Sequence, residues 1–547
     1  MSPPLKVAPW QQRPIDGFWS RPLIGPERMF DQWLEINGWA EWTSAVVFTV
    51  APSLTSKTNT DKGIKTWFNQ AISLLCLEKP SLLAFIERGK EGSAASKSRN
   101  FVYRPLESDD DLAGRIARQT TILHTKKSVQ DGLKTLTDEF YKDPERRISL
   151  ELGEHLIHIS LVASSAEPGS FGLAIRCNHA LNDSWSGIAI LHDILGKLAD
   201  GLTRSEPWPS YKIASPSALH PCYLDILQKP IGDDPLDQES QEKAKHLLGA
   251  NLENITFCPV SQEPAKDLPD TDYCCRRQVF TQEQTQKIVQ ICKAQGVSVT
   301  ALLTALQTFA LLETFPPEDS SRTKAAPICV SNRLRHTSLT YDNQSSSQLS
   351  LHQTAKEAAA IGPIMATTFL VSPFDVSPYL QHENKSNGSR DWRKDIWEVA
   401  RNAGRATDDA IESNISEHVD WTQGPAAFGG VAHALEAMKA GLAPSPPGIL
   451  TPLSSIGLLD GIHIRETYGD GGQSESPALK LVDFVFYSRV NKWFGPQVWA
   501  WTALEKLNTI MVMPDPRIRS VPNIEWWDLF NDMIAGIATG DPDDVQG

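Results

Sequence analysis

The sequence predicts an α/β (α+β) protein of two lobes, and three observations carry that expectation. At 547 residues the chain exceeds the about 250 to 300 residues at which a single hydrophobic core stops growing. Short β-rich runs and amphipathic helical runs occur in both halves. Between them, Leu202 to Asp272 is rich in Pro, Ser, Asp and Lys and carries few regular signals beyond a helix near Gln241 to Leu248. The expected division is an N-terminal lobe over residues 1–215, a crossover over 216–272 and a C-terminal lobe over 273–547.

In the N-terminal lobe, Met29, Phe30, Trp33 and Leu34 recur at helical spacing within Glu27 to Asn37, and Gly38 follows as a stop. A strand is expected over Trp42 to Val50, a helix over Thr60 to Leu77, short strands over Phe101 to Pro105 and Thr120 to His124, and a helix over Ser128 to Tyr141. Arg147 to Leu152 and His155 to Val162 are β-rich. The turn Glu167-Pro168-Gly169-Ser170 then reverses the chain into Phe171 to Cys177, making a hairpin. Its outgoing strand runs straight into Asn178-His179 and an amphipathic run from Trp185 to Leu198 that closes near Gly201.

The C-terminal lobe opens with a strand at Arg277 to Phe280, and Thr281-x-x-Gln284 forms a capping-box pattern for a helix that Gly296 ends. Val297 to Phe315 is the most apolar stretch. Thr300, Thr304 and Thr308 fall on one stripe of it, which suits a buried core helix better than a membrane span. Ile328 to Leu334 is expected as a core strand. Gly461 to Tyr468, Leu479 to Tyr487, Val498 to Thr502 and Leu507 to Val512 are expected as a β-meander, and Ile524 to Ile537 as a closing helix.

Hydrophobic residues at 41% and charged residues at 22% describe an ordinary folded protein rather than a fibrous or disordered one. A net charge of −14 repels a phosphate backbone, so nucleic acid is not an expected partner. The N-terminal stretch has prolines and polar residues where a secretion signal has an apolar core, and a cytoplasmic location with no membrane association is expected. Eight cysteines show neither a CxxC pair nor zinc-ligand spacing, and His155 and His158 lack a third ligand, so no metal is expected.

One segment stands out: Cys177-Asn178-His179-Ala180-Leu181-Asn182-Asp183-Ser184-Trp185-Ser186-Gly187, which contains HxxxD. Among 13 histidines the bare string is expected about once by chance. Its placement is more informative, because a histidine leaving a strand just before a helix is held by backbone on both sides and aimed into a crevice. Taken alone, the segment reads more readily as a histidine merely hydrogen-bonded in a turn, since isolated histidines usually are.

The segment resembles the signature of the chloramphenicol-acetyltransferase-like, condensation-domain-like acyltransferase superfamily. Trp19-Ser20-Arg21-Pro22-Leu23, Gln295-Gly296-Val297-Ser298-Val299-Thr300-Ala301-Leu302-Leu303 and Val330-Ser331-Asn332-Arg333-Leu334-Arg335 resemble further pieces of its pattern, in order along most of the chain. Leu453-Ser454-Ser455-Ile456-Gly457 and Trp499-x-Trp501 are most similar to the fungal trichothecene 15-O-acetyltransferases. Three departures stand against the match. Asn178 occupies the place of the condensation domains' preceding histidine, Ser184 replaces the usual glycine after the aspartate, and only Asp483-Phe484-Val485-Phe486 approaches the DFGWG motif of plant relatives.

The resemblance implies two lobes, each a mixed β-sheet flanked by helices, with an active site in a channel between them, and acetyl-CoA, or another acyl-CoA, as co-substrate with no permanently bound cofactor. It also implies a hydroxyl on a small secondary metabolite as acceptor, a monomer, and a fungal-type biosynthetic setting. His179 would be the general base, since neutral imidazole takes an alcohol's proton near pH 7. Asp183 would be structural, paired with Arg333. Ser454 or Ser455 would supply an oxyanion donor or serve as turn residues, Trp185 would wall the acceptor pocket or pack the helix, and Gly187 would permit close helix-to-sheet packing. The alternative within the same fold is a condensation-domain-like enzyme catalysing cyclisation, dehydration or condensation without coenzyme A.

Overall fold

The computed structural model describes residues 9–24, 27–28, 30–31, 34, 41–58, 61–89, 99–142, 155–204, 219–220, 222, 273–316, 324–325, 327–332, 367–371, 374–381, 392–423, 450–461, 463–469, 476–489, 496–514 and 525–540. The expected elements at Arg147 to Leu152 and Gln241 to Leu248 lie outside these residues. Two compact units emerge, one drawn from Met1–Ile231, Asn332–Ala366 and Leu459–Arg489, the other from Gly232–Ser331, Thr367–Leu458 and Val490–Gly547.

The first unit contains β1 (Gln11–Gln12), β2 (Trp19–Pro22), β3 (Glu41–Val50), α1 (Asp61–Glu78), β4 (Phe85–Arg88) and β5 (Arg99–Tyr103). There follow α2 (Asp109–Gln119), β6 (Thr120–Thr125), α3 (Val129–Lys142), β7 (Ile157–Ser164), β8 (Ser170–Asn178) and α4 (Ser184–Thr203). Two later strands, β15 (Thr467–Tyr468) and β16 (Leu479–Ser488), join them in a six-stranded sheet of order β15-β16-β3-β8-β7-β6. Only β6 and β7 run parallel, and the other pairings are antiparallel. The strand β3, with sequence EWTSAVVFTV, is buried along nearly its whole length, so both faces of the sheet must be covered.

On one face α3 packs through Val129, Leu133, Leu136 and Phe140 against Ala45, Val47, Val162 and Ala174. On the other, α4 comes so close that a Cβ on Gly187 would lie 2.0 Å from Cη2 of Trp42. Alternation along β3 assigns odd residues to α3 and even ones to α4. A separate sheet, β1-β2-β5-β4, holds the N-terminal segment. There Arg21 is fully buried, bonded at 2.8 Å to each oxygen of Glu27, and its guanidinium lies 4.6 Å from the Phe101 ring centroid. Burial with paired charges accounts for the Trp19-Ser20-Arg21-Pro22 segment as an internal clasp.

The second unit holds β9 (Tyr273–Val279), α5 (Gln282–Ala294), α6 (Val299–Thr314), a ribbon of β10 (Lys324–Ala325) and β13 (Phe374–Asp375), β11 (Pro327–Asn332) and β12 (Thr367–Val371). It continues with α7 (Trp392–Gln423), β14 (Leu450–Leu458), β17 (Gln497–Ala503), β18 (Lys506–Pro514) and α8 (Glu525–Thr539). Its sheet has the order β12-β11-β14-β17-β18-β9, parallel at β11-β14-β17 and antiparallel at β17-β18-β9. The Thr281/Gln284 capping box is formed reciprocally and starts α5, and Gly296 follows that helix at φ +66°. Residues Ala301 to Leu312 of α6 are all buried. No single helix among the described residues is long and apolar enough to cross a membrane.

The expected C-terminal meander is divided. β16 adds to β3 in the first unit, from Leu479 opposite Val50 to Ser488 opposite Trp42, whereas β17 and β18 pair in the second. Residues 459–489, assigned from sequence to the C-terminal lobe, therefore belong with the first unit.

Candidate active site

The β8-to-α4 turn is built from short local bonds. Asn178 Oδ1 accepts from the Ala180 N–H at 2.9 Å, and the Leu181 N–H donates to the Asn178 carbonyl at 3.0 Å. Asp183 is the N-cap of α4: its Oδ1 accepts from the Ser186 N–H at 2.9 Å and from the Ser186 hydroxyl at 3.1 Å. A carboxylate at this end also meets the positive pole of the helix.

His179 sits half-buried at the centre of this turn. Its Nδ1 lies 3.0 Å from the Asn182 carbonyl oxygen. A carbonyl only accepts, so Nδ1 carries the proton and the lone pair is left on Nε2. The Phe30 ring stacks on the imidazole at 4.0 Å between centroids and 14° between planes. Burial lowers the imidazole pKa from 6.5 to about 4, although the main-chain acceptors at His179 and Asn182 pull it upward. The ring is therefore neutral at pH 7.

At the end of β8 where the turn begins, Glu41 lies opposite Asn178 in the β3–β8 register. Its fully buried carboxylate pairs with Arg176 and, at 3.7 Å, with Arg489. The Arg176 guanidinium rests 4.5 Å from the Phe140 ring centroid, and its pKa is depressed by burial and then by the neighbouring Arg489. The Arg489 N–H also donates to the Glu41 carbonyl at 2.8 Å, tying the chain after β16 to the start of β3.

Sequence reasoning named neither this buried triad nor Phe30 as part of the site. The available signals were a carboxylate opening an apolar strand and an aromatic in the opening helical segment. Trp185 is buried on the first turn of α4, edge-on to His463 with centroids 4.3 Å apart. His179, Asp183 and Trp185 are thus brought together in one turn. Arg333 lies outside the described residues.

Ser454 and Ser455 lie half-buried on β14 of the second unit, where Ser455 Oγ is 2.8 Å from Thr300 Oγ1. The β14–β17 register shifts between Ser455 and Gly457, and Gly457 takes φ +90°, a left-handed value that favours glycine. The Asp483-Phe484-Val485-Phe486 string is strand, inside β16. His158 Nε2 is 3.0 Å from the Thr121 hydroxyl, and no group of three metal-binding side chains occurs among the described residues.

With both six-stranded sheets mixed and helix-flanked, the chain has the two-lobed fold of the condensation-domain-like, chloramphenicol-acetyltransferase-like acyltransferases. Among solved structures it is similar to TRI3, the trichothecene 15-O-acetyltransferase from Fusarium sporotrichioides, with a TM-score of 0.72, 14% identity and 98% of each chain covered. It is also similar to polyketide synthase associated protein 5 from Mycobacterium tuberculosis, at a TM-score of 0.53 and 12% identity over 95% of this chain and 98% of that one. The epimerization domain from the third module of tyrocidine synthetase B matches at a TM-score of 0.53 and 12% identity over 98% of each chain. No protein-family model and no curated protein matches the sequence.

Proposed function

We propose that the protein is an acyl-CoA-dependent O-acyltransferase, with acetyl-CoA as donor and a hydroxyl of a small secondary metabolite as acceptor. The observation that carries this reading is the 3.0 Å bond from His179 Nδ1 to the Asn182 carbonyl, which commits the lone pair to Nε2. The fold shared with an acetyltransferase supports it.

In the proposed reaction the acceptor hydroxyl gives its proton to Nε2 as its oxygen attacks the thioester carbonyl. The tetrahedral oxyanion then collapses, the C–S bond breaks, and the departing thiolate takes the proton from the imidazolium. No acyl-enzyme forms. General-base catalysis of this kind supplies about 10² to 10⁴ in rate, or about 3 to 5 kcal/mol of barrier. Asp183, spent on the N-cap, serves structure rather than proton transfer.

The alternative of condensation-type chemistry without coenzyme A is favoured by the likeness to the epimerization domain. The separating experiment incubates purified protein with acetyl-CoA and a panel of hydroxylated small molecules, reading thiol release and acylated product mass. Release with a matching acylated product is expected, and His179→Ala should lower it by at least about 10²-fold. Full activity in His179→Ala removes the base, and absence of coenzyme A binding leaves the alternative.

A further inference from the structure

The sequence Cys177-Asn178-His179-Ala180-Leu181-Asn182 folds so that its first and last residues meet. Cys177 Sγ lies 2.9 Å from Asn182 Oδ1, and both side chains are fully buried. Asn182 is thereby held at two points, because its carbonyl carries the His179 Nδ1 proton at 3.0 Å while its side chain is fixed by the thiol. The Asn182 side-chain nitrogen is buried with no hydrogen-bond partner among the described residues, and among those residues the amide is anchored through its oxygen, by Cys177. Burial raises the Cys177 pKa well above its ordinary value, which keeps the sulfur protonated and a donor.

We propose that Asn182, locked by the Cys177 thiol, is the positioning residue that sets the tautomer and aim of His179. The inference deepens the acyltransferase reading and rests on it for its kinetic arm only. Removing the thiol leaves Oδ1 buried and unpaired, an unfavourable state that the amide relieves by turning away. That movement displaces the carbonyl holding Nδ1, and the imidazole then populates the Nε2–H form, which has no lone pair toward an acceptor. Neither residue belongs to HxxxD as a chemical requirement, so the coupling follows from this chain's own Cys and Asn.

The test compares Cys177→Ala, Cys177→Ser and Asn182→Ala in the full chain by ¹⁵N-histidine NMR, with His179→Ala identifying the resonance among the 13 histidines. Wild type is expected to give a protonated Nδ1 and an unprotonated Nε2 at His179. Cys177→Ala and Asn182→Ala should give a mixture of tautomers, and Cys177→Ser, which keeps a donor, should restore the wild-type pattern. In turnover, kcat should fall about tenfold with KM within about twofold for the two alanine variants, a part of the about 10² to 10⁴ that a general base supplies. If Asn182→Ala does not fold, the Cys177 pair decides. An unchanged Nδ1–H signal in Cys177→Ala, or a loss of it that Cys177→Ser fails to reverse, overturns the proposal. Because the NMR readout needs no turnover, a wild-type protein that transfers no acyl group refutes the proposed function and leaves the positioning result to stand or fall separately.

Discussion

Replacing Gly187 by Ala tests how tightly the sheet holds the helix behind the candidate base. The new methyl carbon would lie 2.0 Å from Cη2 and 2.4 Å from Cζ2 of Trp42, against the about 3.5 to 4.0 Å at which carbon atoms rest. Trp42 cannot yield easily, being 1% exposed and stacked on Phe486 with centroids 5.7 Å apart. The first turn of α4 must therefore move outward by roughly 1.5 Å to restore contact distance. Overpacking of this kind costs about 1 to 3 kcal/mol, and the better helix propensity of Ala returns about 1. A contact this short belongs at the upper end, so a net loss of about 2 kcal/mol is expected. Because Asp183 caps the same turn, His179 shifts with it, and an error of about 1 Å can lower kcat by about 10²-fold. Urea unfolding and steady-state turnover measure the two effects. Trp42→Leu in the same chain vacates the space, so the double variant should recover stability relative to the sum of the single variants. A Gly187→Ala protein as stable as wild type, or a double variant showing no recovery, would refute the packing account.

Three further outcomes concern the buried groups around His179 and the buried histidines. Glu41→Ala leaves Arg176 and Arg489 as buried like charges and should cost about 3 to 5 kcal/mol in chemical denaturation, with Asp183 and its cap geometrically intact. Phe30→Ala uncovers one face of the imidazole; the acid limb of kcat/KM, expected near the His179 pKa of about 4, should move up toward 6.5. Stability should also fall with acid, because His158 and His179 are both held at about 4 by burial while the unfolded chain titrates near 6.5. Between those values the unfolded state binds more protons, so the loss begins as pH drops below about 6.5 and is complete below about 4. Each imidazole contributes up to about 3 kcal/mol, and urea melts from pH 4 to 7.5 would reveal it as a slope absent above pH 7.

Local chemistry was legible in the sequence where it was self-contained. The hairpin, the β8-to-α4 turn, the Thr281/Gln284 box and the buried α6 are each set by residues within a few positions of one another. The helix α2 was missed because Asp109, Asp110 and Asp111 look like a solvated loop. They are instead the acidic first turn that Ser108 caps, and Arg115 ties the helix back by donating to the Arg104 and Pro105 carbonyls at 2.6 and 3.0 Å. The 32 residues of α7 were missed because Ile396, Trp397, Val399, Ala400 and Ala403 are diluted by charges on the other faces. The division of the meander was invisible for another reason: alternation marks β16 as a strand but cannot say that its partner, β3, lies more than 400 residues earlier in the chain. Glu41 was missed likewise, since its partners at 176 and 489 are distant in sequence.

The two departures that most weaken the motif in the sequence have local physical explanations. Asn178 is fully buried, and its oxygen is already used on the Ala180 N–H, so it shapes the turn and has no proton to exchange with a substrate. A second histidine would have to make that same bond through a ring nitrogen to leave the turn unchanged. Ser184 is the first helical residue after the Asp183 cap and is half-buried, an α-region position that accepts a Cβ without the strain for which glycine is needed. The glycine that packing does require comes three residues later, at Gly187, where the indole of Trp42 leaves no room for a side chain. The turn thus holds one neutral imidazole with a defined tautomer and an amide, Asn178, that cannot act as a second proton donor. That asymmetry is in keeping with the proposed single-base transfer. Asn178→His provides the check: if the added ring merely replaces the Ala180 bond, turnover should stay within about threefold of wild type, whereas a gain of condensation activity would mean that the turn had room for a second acid all along.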